Sequence, residues 1–150
     1  MLVLFSVIDQ SWKIADFGAT KTGSSTTLMA TSRRYGTTSF RAPELMNEDE
    51  GKYSSRTDIW AFGCLTYEIC TNEKAFLSDW ATLRYANTEN RRPKTILDFP
   101  EKSPSANVIE VARDQNCGDK CLNVAWQHRI SASELLMLMN GWQGKLTNSD

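Results

Sequence analysis

The first residues in the chain that could take part in chemistry are Asp16, Phe17 and Gly18, which follow a short apolar stretch ending at Ala15. A carboxylate at the end of a strand can hold a hard cation such as Mg²⁺, because such cations prefer oxygen ligands. An aspartate beside a glycine can also cap a turn, since glycine supplies the backbone freedom that a turn requires. On its own, the triplet leaves a metal site and a plain turn as alternatives.

The stretch from position 19 to 35 is rich in serine, threonine and glycine and has no apolar period, which predicts a loop. A phosphate group that pairs with arginines can order such a loop. After Gly36 the chain continues as Thr37-Thr38-Ser39-Phe40-Arg41-Ala42-Pro43-Glu44. Hydroxyl groups, a cation and a carboxylate therefore follow one another closely in this second stretch.

Two short strands are predicted to position Asp16. Leu2 to Ile8 is typical of a buried strand, Asp9 to Ser11 is a polar turn, and Trp12 to Ala15 is a second strand. A signal peptide is the alternative for the first segment, but that segment has no basic leader and no small-residue cleavage site. The strands predict a hairpin whose exit delivers Asp16.

A helix is predicted from Asp58 to about Cys70, with Thr57 as its N-cap. Its apolar residues lie on nearly all faces, and a helix of this kind must be buried in a core. These apolar residues are Ile59, Trp60, Phe62, Leu65, Tyr67 and Ile69.

Further helices are predicted later in the chain. Ser78 is placed to cap a helix that ends near Asn87, and positions 105–124 are helical in tendency with a break at Gly118. Positions 90–104 contain three prolines and are predicted to be irregular. Ser131 and Glu134 have the spacing of a capping box that opens a Leu/Met-rich helix, whose apolar stripe we expect to be core.

Asp16-Phe17-Gly18, Ala42-Pro43-Glu44 and Asp58-Ile59-Trp60-Ala61-Phe62-Gly63 occur in the order of the motifs that bracket and follow the activation segment of protein kinases. From about Leu2 to Leu138 the chain thus resembles the C-terminal half of a eukaryotic-type protein kinase domain. The resemblance implies a mainly α structure with a short N-terminal β-hairpin. This would be a partial kinase-like C-lobe of an α+β family fold, with the N-lobe absent. We expect the domain to span residues 1–140 and residues 141–150 to form a tail.

The resemblance also implies roles for the residues of the first triplet. Asp16 would hold the Mg²⁺ that bridges the phosphates of ATP, Phe17 would be the packing switch beside it, and Gly18 would free the backbone of the turn. Thr37 matches the hydroxyl that hydrogen-bonds the catalytic aspartate in the family, so Asp16 and Thr37 are the expected catalytic-site residues. ATP and Mg²⁺ serve the intact family, and this chain alone is not expected to hold them firmly.

Thr31 and Ser32 lie nearest to the position at which related kinases are often phosphorylated. The residue three before Gly36 is Arg33, which departs from the commonest regulatory spacing. A plain hydroxyl-rich surface loop is the alternative for both residues.

Four residues are expected to have structural roles. Glu44 matches the family's glutamate that pairs with a distant arginine, which here is Arg129. Asp58 matches the buried aspartate that starts the central helix and holds the catalytic-loop backbone. Trp60 belongs to the core of that helix.

The implied activity is ATP-dependent phosphoryl transfer to serine or threonine of a protein, since Phe40-Arg41 does not resemble the Trp-Met type of sequence in tyrosine kinases. The Gly-rich phosphate loop, the ATP-pairing lysine with its glutamate, and the His-Arg-Asp loop with its asparagine have no counterpart in these residues. We therefore expect no kinase activity from this chain alone. The alternatives are a non-catalytic, pseudokinase-like module that binds proteins, and an unrelated helical binding domain.

Composition limits the remaining possibilities. A formal net charge of −1 without a basic stripe argues against a nucleic-acid partner, and no stretch has the ~20 apolar residues that span a bilayer. Cys64, Cys70, Cys117 and Cys121 are expected to be free thiols of an intracellular protein, cytoplasmic or nuclear. Zinc held by Cys117, Cys121 and His128 is the alternative, but a fourth ligand is missing. The sequence gives no oligomeric state.

Overall fold

The computed structural model describes residues 2–15, 29–31, 37–46, 51–88 and 117–147. The elements are mostly helical and include two small antiparallel sheets, which confirms the mainly α structure with an N-terminal hairpin. The strands are β1 (Leu2–Ser6), β2 (Ser11–Ala15), β3 (Met29–Thr31) and β4 (Gly51–Tyr53). The helices are α1 (Ser55–Thr71), α2 (Asp79–Asn87), α3 (Cys117–Cys121) and α4 (Ala132–Thr147), and short 3₁₀ turns lie at Thr38–Phe40, Pro43–Leu45 and Trp126–His128.

The predicted hairpin is present, with β1 and β2 antiparallel and Leu2 opposite Ala15. β1 ends at Ser6 because Val7 and Ile8 belong to the turn, where both side chains are exposed. The prediction that this strand is buried is wrong for the described residues, since the side chain of Leu4 is also exposed. The apolar side chains of such a strand are expected to pack against another element, and the described elements do not cover them.

β3 pairs with β4 in an antiparallel sheet, with Met29 opposite Tyr53 and Thr31 opposite Gly51. A loop was predicted over positions 19–35, so β3 corrects the sequence prediction there. Three-residue strands are too short to show an alternating apolar pattern, and only the distant pairing partner reveals them.

α1 begins three residues earlier than predicted, and its N-cap is Ser54 instead of Thr57. The Ser54 hydroxyl accepts a hydrogen bond from the Arg56 N–H at 3.2 Å, and the Thr57 hydroxyl accepts one from the Ser54 N–H at 3.1 Å. The two side chains thus form a capping box, in which both hydroxyls satisfy amides at the start of the helix. The helix ends at Thr71 and is capped by Asn72, whose left-handed backbone has a φ of 58°.

Replacing Ser54 by alanine is expected to lower the free energy of unfolding by about 1 kcal/mol, because the N-cap acceptor is lost. Ser55 provides a matched control, since it is exposed in the first turn, where its hydroxyl does not cap the helix. Urea denaturation followed by far-ultraviolet circular dichroism measures both variants. Equal midpoints for Ser54→Ala and Ser55→Ala would contradict this assignment of the cap.

The core lies on both sides of α1. Trp60 is fully buried and stacks on Phe76 with ring centroids 5.4 Å apart, and Tyr85 of α2 meets the edge of the same indole. On the other side, Ile59 packs with Leu135 of α4. The predicted burial of α1 holds on most of its faces but fails at Ile69, whose side chain is exposed.

Ser78 caps α2 as predicted, and Ser131 with Glu134 forms the predicted capping box of α4. Gly118 lies within α3, which ends at Cys121, and positions 105–116 of the predicted helix lie outside the described residues. α4 runs to Thr147, so most of the segment 141–150, which was expected to be a tail, is helical. No helix among the described residues is long and apolar enough to cross a bilayer.

Candidate functional site

The residues predicted to bind the metal and the nucleotide, and one of the two predicted phosphorylation sites, fall outside the part of the chain that the structure describes. Asp16, Phe17, Gly18 and Ser32 lie outside the described residues, and Thr31 is the last residue of β3. β2 ends at Ala15, so position 16 directly follows the hairpin. Among the residues that the structure describes, no cluster of three or more His, Cys, Asp or Glu side chains could hold a metal ion.

The best-defined polar cluster is an ion pair between Glu44 and Arg129, which are 85 residues apart in the chain. The two terminal nitrogens of Arg129 donate to the two carboxylate oxygens of Glu44, each at 2.6 Å. Both side chains are buried, with Arg129 at 1% exposure. A parallel two-bond pairing of this kind is the strongest geometry available to an arginine and a carboxylate.

The remaining donors of Arg129 are also satisfied. Its Nε donates to the carbonyl of Asn123 at 2.6 Å, and Nη1 also donates to the carbonyl of Arg56 at 3.0 Å. The guanidinium lies over the Trp60 ring, 5.0 Å from its centroid. Because burial of a charge is costly unless it is paired and hydrogen-bonded, this full set of partners explains how Arg129 stays inside the protein.

The start of α1 contributes to the same cluster. The Thr57 hydroxyl donates to Oε1 of Glu44 at 3.1 Å while it accepts from the backbone of Ser54. One hydroxyl therefore couples the helix cap to the ion pair. The cluster joins the 3₁₀ turn at Pro43–Leu45, the start of α1 and the segment before α4.

A second ion pair holds the same stretch of chain from another side. Nη1 of Arg41 donates to Oδ2 of Asp79, the first residue of α2, at 2.6 Å, and both side chains are largely buried. Phe40 packs against the aromatic cluster around Trp60. Sequence reasoning missed this pair, and only the presence of opposite charges could have indicated it.

The anchored stretch leaves Thr37 at its exposed end, while Ser39 is buried. The Thr37 carbonyl accepts a hydrogen bond from the Phe40 N–H at 2.9 Å, which closes the 3₁₀ turn. The structure thus places an anchored loop with two exposed hydroxyl-bearing residues, Thr37 and Thr38, beside a well-packed helical core.

Asp58 lies in the first turn of α1. It was expected to be buried, and the structure instead leaves the residue exposed, with its carboxyl partly shielded by neighbouring atoms. The protein atoms around its carboxyl still disfavour the charged form, so partial desolvation raises its pKa.

Comparison with known proteins places this arrangement in a family. The protein kinase domain matches residues 3–139. Serine/threonine-protein kinase Nek3 of Oryza sativa is 38% identical over 134 residues, a match that covers 89% of this chain and 20% of the rice protein. The G2-specific protein kinase nimA of Emericella nidulans is 37% identical over 133 residues, covering 89% of this chain and 17% of nimA.

A third relative is serine/threonine-protein kinase PCRK1 of Arabidopsis thaliana, which is 29% identical over 149 residues, covering 89% of this chain and 34% of that protein. The chain thus spans about a third or less of the length of these curated relatives. Because the domain match extends over nearly the whole sequence, the chain belongs to the eukaryotic-type protein kinase family as part of its catalytic domain.

Proposed function

We propose that residues 1–140 form the C-lobe half of a Ser/Thr protein kinase domain and that the complete domain transfers phosphate from ATP to serine or threonine of protein substrates. The observation that carries this proposal is the buried pair of Glu44 and Arg129. The pair fixes the stretch from Thr37 to Glu44 against α1 and leaves Thr37 exposed. A loop that receives a protein substrate must be held rigidly at such an exposed position.

The proposal assigns Mg²⁺ and ATP to the intact domain. Asp16 would supply a carboxylate oxygen to the cation, with Phe17 packing beside it and Gly18 freeing the turn. A cation held there would neutralise negative charge on the phosphate oxygens of the nucleotide. Asp16 lies outside the described residues, among which no cluster of three or more His, Cys, Asp or Glu side chains could hold a metal ion, so its assignment rests on the family motif.

Positioning is the contribution that the described residues make to this activity. The pairs Arg41–Asp79 and Glu44–Arg129 hold the residue before the Ala42-Pro43-Glu44 triplet and the last residue of that triplet. Thr37 would then meet both the substrate and the catalytic aspartate of the complete domain. Thr31 and Ser32 are the proposed phosphorylation sites of the preceding loop, where an added phosphate would order the chain by pairing with arginines.

The 150-residue chain by itself is expected to show no phosphate transfer from radiolabelled ATP to a Ser/Thr substrate protein above a mock preparation. Loss of a general base alone slows a reaction by roughly 10²–10⁴-fold, and loss of nucleotide positioning multiplies this. The matched control is Asp16→Ala. Transfer by the unaltered chain that disappears in Asp16→Ala would refute the predicted inactivity and support Asp16 as a ligand.

A second candidate is a non-catalytic, pseudokinase-like module that binds proteins. It is favoured by the apolar side chains that α4 presents to solvent, with Leu136 at 60% and Met137 at 74% exposure. The intact mass of the endogenous product separates the two. A product much heavier than 16.9 kDa supports the catalytic domain, and a product of that mass supports the module. Both candidates have protein partners and an intracellular location, cytoplasmic or nuclear, as part of the proposal.

A further inference from the structure

The hydrogen bonds around Glu44 and Arg129 close into a ring that begins and ends at Ser54, the N-cap of α1. The Ser54 N–H donates to the Thr57 hydroxyl at 3.1 Å, and this hydroxyl donates to Oε1 of Glu44 at 3.1 Å. Arg129 pairs with Glu44 and donates from Nη1 to the Arg56 carbonyl at 3.0 Å. The Arg56 N–H then donates back to the Ser54 hydroxyl at 3.2 Å. The buried ion pair is therefore bonded to the start of α1 at two points.

The direction of the Thr57 hydroxyl proton follows from the bond that the hydroxyl accepts. A hydroxyl donates one hydrogen bond and accepts up to two. Because the Ser54 N–H donates to the Thr57 oxygen, the hydroxyl proton cannot point to that side, and Oε1 of Glu44 accepts it. A hydrogen bond to a carboxylate is charge-assisted and about twice as strong as a bond between neutral groups. Thr57 therefore acts in the ring as a donor as well as an acceptor.

The residue type at position 57 favours the same interpretation. Thr57 is the N3 residue of the capping box, a position at which glutamate or glutamine commonly accepts from the N-cap amide. An ionised glutamate there could cap Ser54 but could not donate to Glu44, since a carboxylate only accepts. It would also place a second negative charge beside a buried carboxylate, which disfavours both charged forms. A threonine at N3 therefore serves Glu44 in addition to the helix cap.

Glu44 depends on well-placed donors because its residue surface is only 8% exposed. Its two carboxylate oxygens pair with the two terminal nitrogens of Arg129, and Oε1 also accepts from Thr57. The parallel bonds orient the carboxylate relative to Arg129, and the Thr57 bond orients it relative to the start of α1. A buried polar network is rigid when every member has its partners, and it loses that rigidity when one partner is removed.

We propose that Thr57 is a positioning residue for the loop from Thr37 to Glu44, and that its hydroxyl locks the Glu44 end of this loop to the capped start of α1. Thr57 acts through Glu44 and is not a catalytic residue. The middle of the loop is held separately by the pair of Arg41 and Asp79. The description of this loop as the segment that receives a substrate rests on the proposed function, whereas its coupling to the helix cap does not.

Amide hydrogen exchange, measured by NMR on the full 150-residue chain, tests this coupling residue by residue. The amides of Leu45 and Met46 are the reporters, since both donate to carbonyls of the 3₁₀ turn that carries Glu44. Thr57→Val keeps the shape of the side chain and removes the hydroxyl. We expect it to speed exchange at both reporters about tenfold relative to the middle of α1. The Phe40 amide should change by no more than about threefold, because a separate ion pair holds its part of the loop.

Two further variants separate the role of this hydroxyl from a general loss of stability. Thr66→Val is the matched control, because Thr66 is half-buried in the same helix and its hydroxyl donates to the Phe62 carbonyl within α1 at 2.9 Å. It should leave the exchange of Leu45 and Met46 unchanged relative to the middle of α1. Thr57→Ser keeps the hydroxyl and should restore the slow exchange of the unaltered chain.

Thr57→Glu separates capping from positioning, because it keeps an acceptor for the Ser54 amide and removes the donor to Glu44. The Ser54 amide should stay protected, while Leu45 and Met46 should exchange at least about tenfold faster. A residue that only capped α1 would behave differently, since a working cap would then leave both reporters unchanged. This variant also carries the test if circular dichroism shows that Thr57→Val has not folded.

Unchanged exchange at Leu45 and Met46 in Thr57→Val or in Thr57→Glu would overturn the proposal. Equal acceleration by Thr66→Val, or failure of Thr57→Ser to restore slow exchange, would overturn it as well. None of these results bears on phosphate transfer by the complete domain, because the exchange measurement needs no nucleotide, substrate or activity. Conversely, a complete domain without kinase activity would contradict the proposed function and leave the coupling through Thr57 intact.

Discussion

Replacing Arg129 by methionine is expected to lower the free energy of unfolding by about 3–5 kcal/mol, because Glu44 would remain buried with its charge uncompensated. Methionine fills much of the volume of the arginine stem, so the loss reports the missing guanidinium more than a cavity. The carbonyls of Asn123 and Arg56 would lose a donor at the same time. Since whole domains are stable by only about 5–15 kcal/mol, this loss is a large fraction of the total.

Urea denaturation monitored by circular dichroism and by tryptophan fluorescence measures the effect. Arg84→Met is a matched control, since the Arg84 guanidinium also lies over a tryptophan ring, 5.4 Å from the centroid of Trp80, but is exposed. The control should shift the free energy of unfolding by no more than about 0.5 kcal/mol. Similar losses in both variants would show that stacking on tryptophan, and not the buried pair with Glu44, supplies the stability.

A double variant separates the cost of breaking the pair from its net contribution. Glu44→Met with Arg129→Met removes both charges, so no uncompensated ion is left inside the protein. Replacing a buried ion pair by apolar residues of similar volume is often close to neutral. The double variant should therefore be more stable than Arg129→Met alone, even though it carries one more substitution. A strictly additive loss would contradict the view that the orphaned carboxylate of Glu44 dominates the cost.

The parts of the fold that could be predicted from sequence are those whose signals are local. The hairpin, the cap at Ser78 and the capping box at Ser131 all follow from residues within a few positions of each other. Thr57 shows the limit of such reasoning. Ser54 and Thr57 carry the same hydroxyl chemistry at capping-box spacing, so composition indicates that a helix starts there but does not single out the cap.

Contacts between distant segments could not be derived in the same way. The Glu44–Arg129 pair was expected only because of a family resemblance, and no spacing rule relates residues 85 positions apart. The Arg41–Asp79 pair and the β3–β4 sheet have no local signal at all. Such features depend on how helices pack, which a sequence pattern constrains only through the total of apolar surface to be buried.

The Leu/Met stripe of α4 illustrates a further limit. An apolar period of 3.6 residues predicts a helix with one face that avoids water, and it does not say which neighbouring element covers that face. Leu135 finds cover against Ile59 of α1, whereas Leu136 and Met137 remain exposed. The expectation that this stripe belongs to the core is therefore confirmed at Leu135 and wrong at Leu136 and Met137.

Gly63 and Gly141 lie inside helices, and alanine substitution is expected to have opposite effects at the two positions. Alanine is more favourable than glycine in a helix by about 0.8–1.0 kcal/mol, so Gly141→Ala should raise the free energy of unfolding by that amount, since its Cβ would meet no atom of the described residues within 4 Å. At Gly63 a Cβ would come within 2.7 Å of Cβ of Cys121 and 2.9 Å of a Leu122 methyl. Such overpacking costs about 1–3 kcal/mol, which exceeds the helix gain over most of that range.

The same urea titration measures both variants, and their difference isolates the steric effect because the change in helix propensity is common to them. The atom nearest to a Cβ at Gly63 is the Cβ of Cys121, a buried residue of α3. This atom is bonded directly to the backbone, so it cannot move aside as the end of a flexible side chain could. Relief therefore requires α1 and α3 to separate. If Gly63→Ala were stabilising, α1 and α3 would have to be farther apart than these distances indicate. Close helix packing would then not be the reason for a glycine at this position.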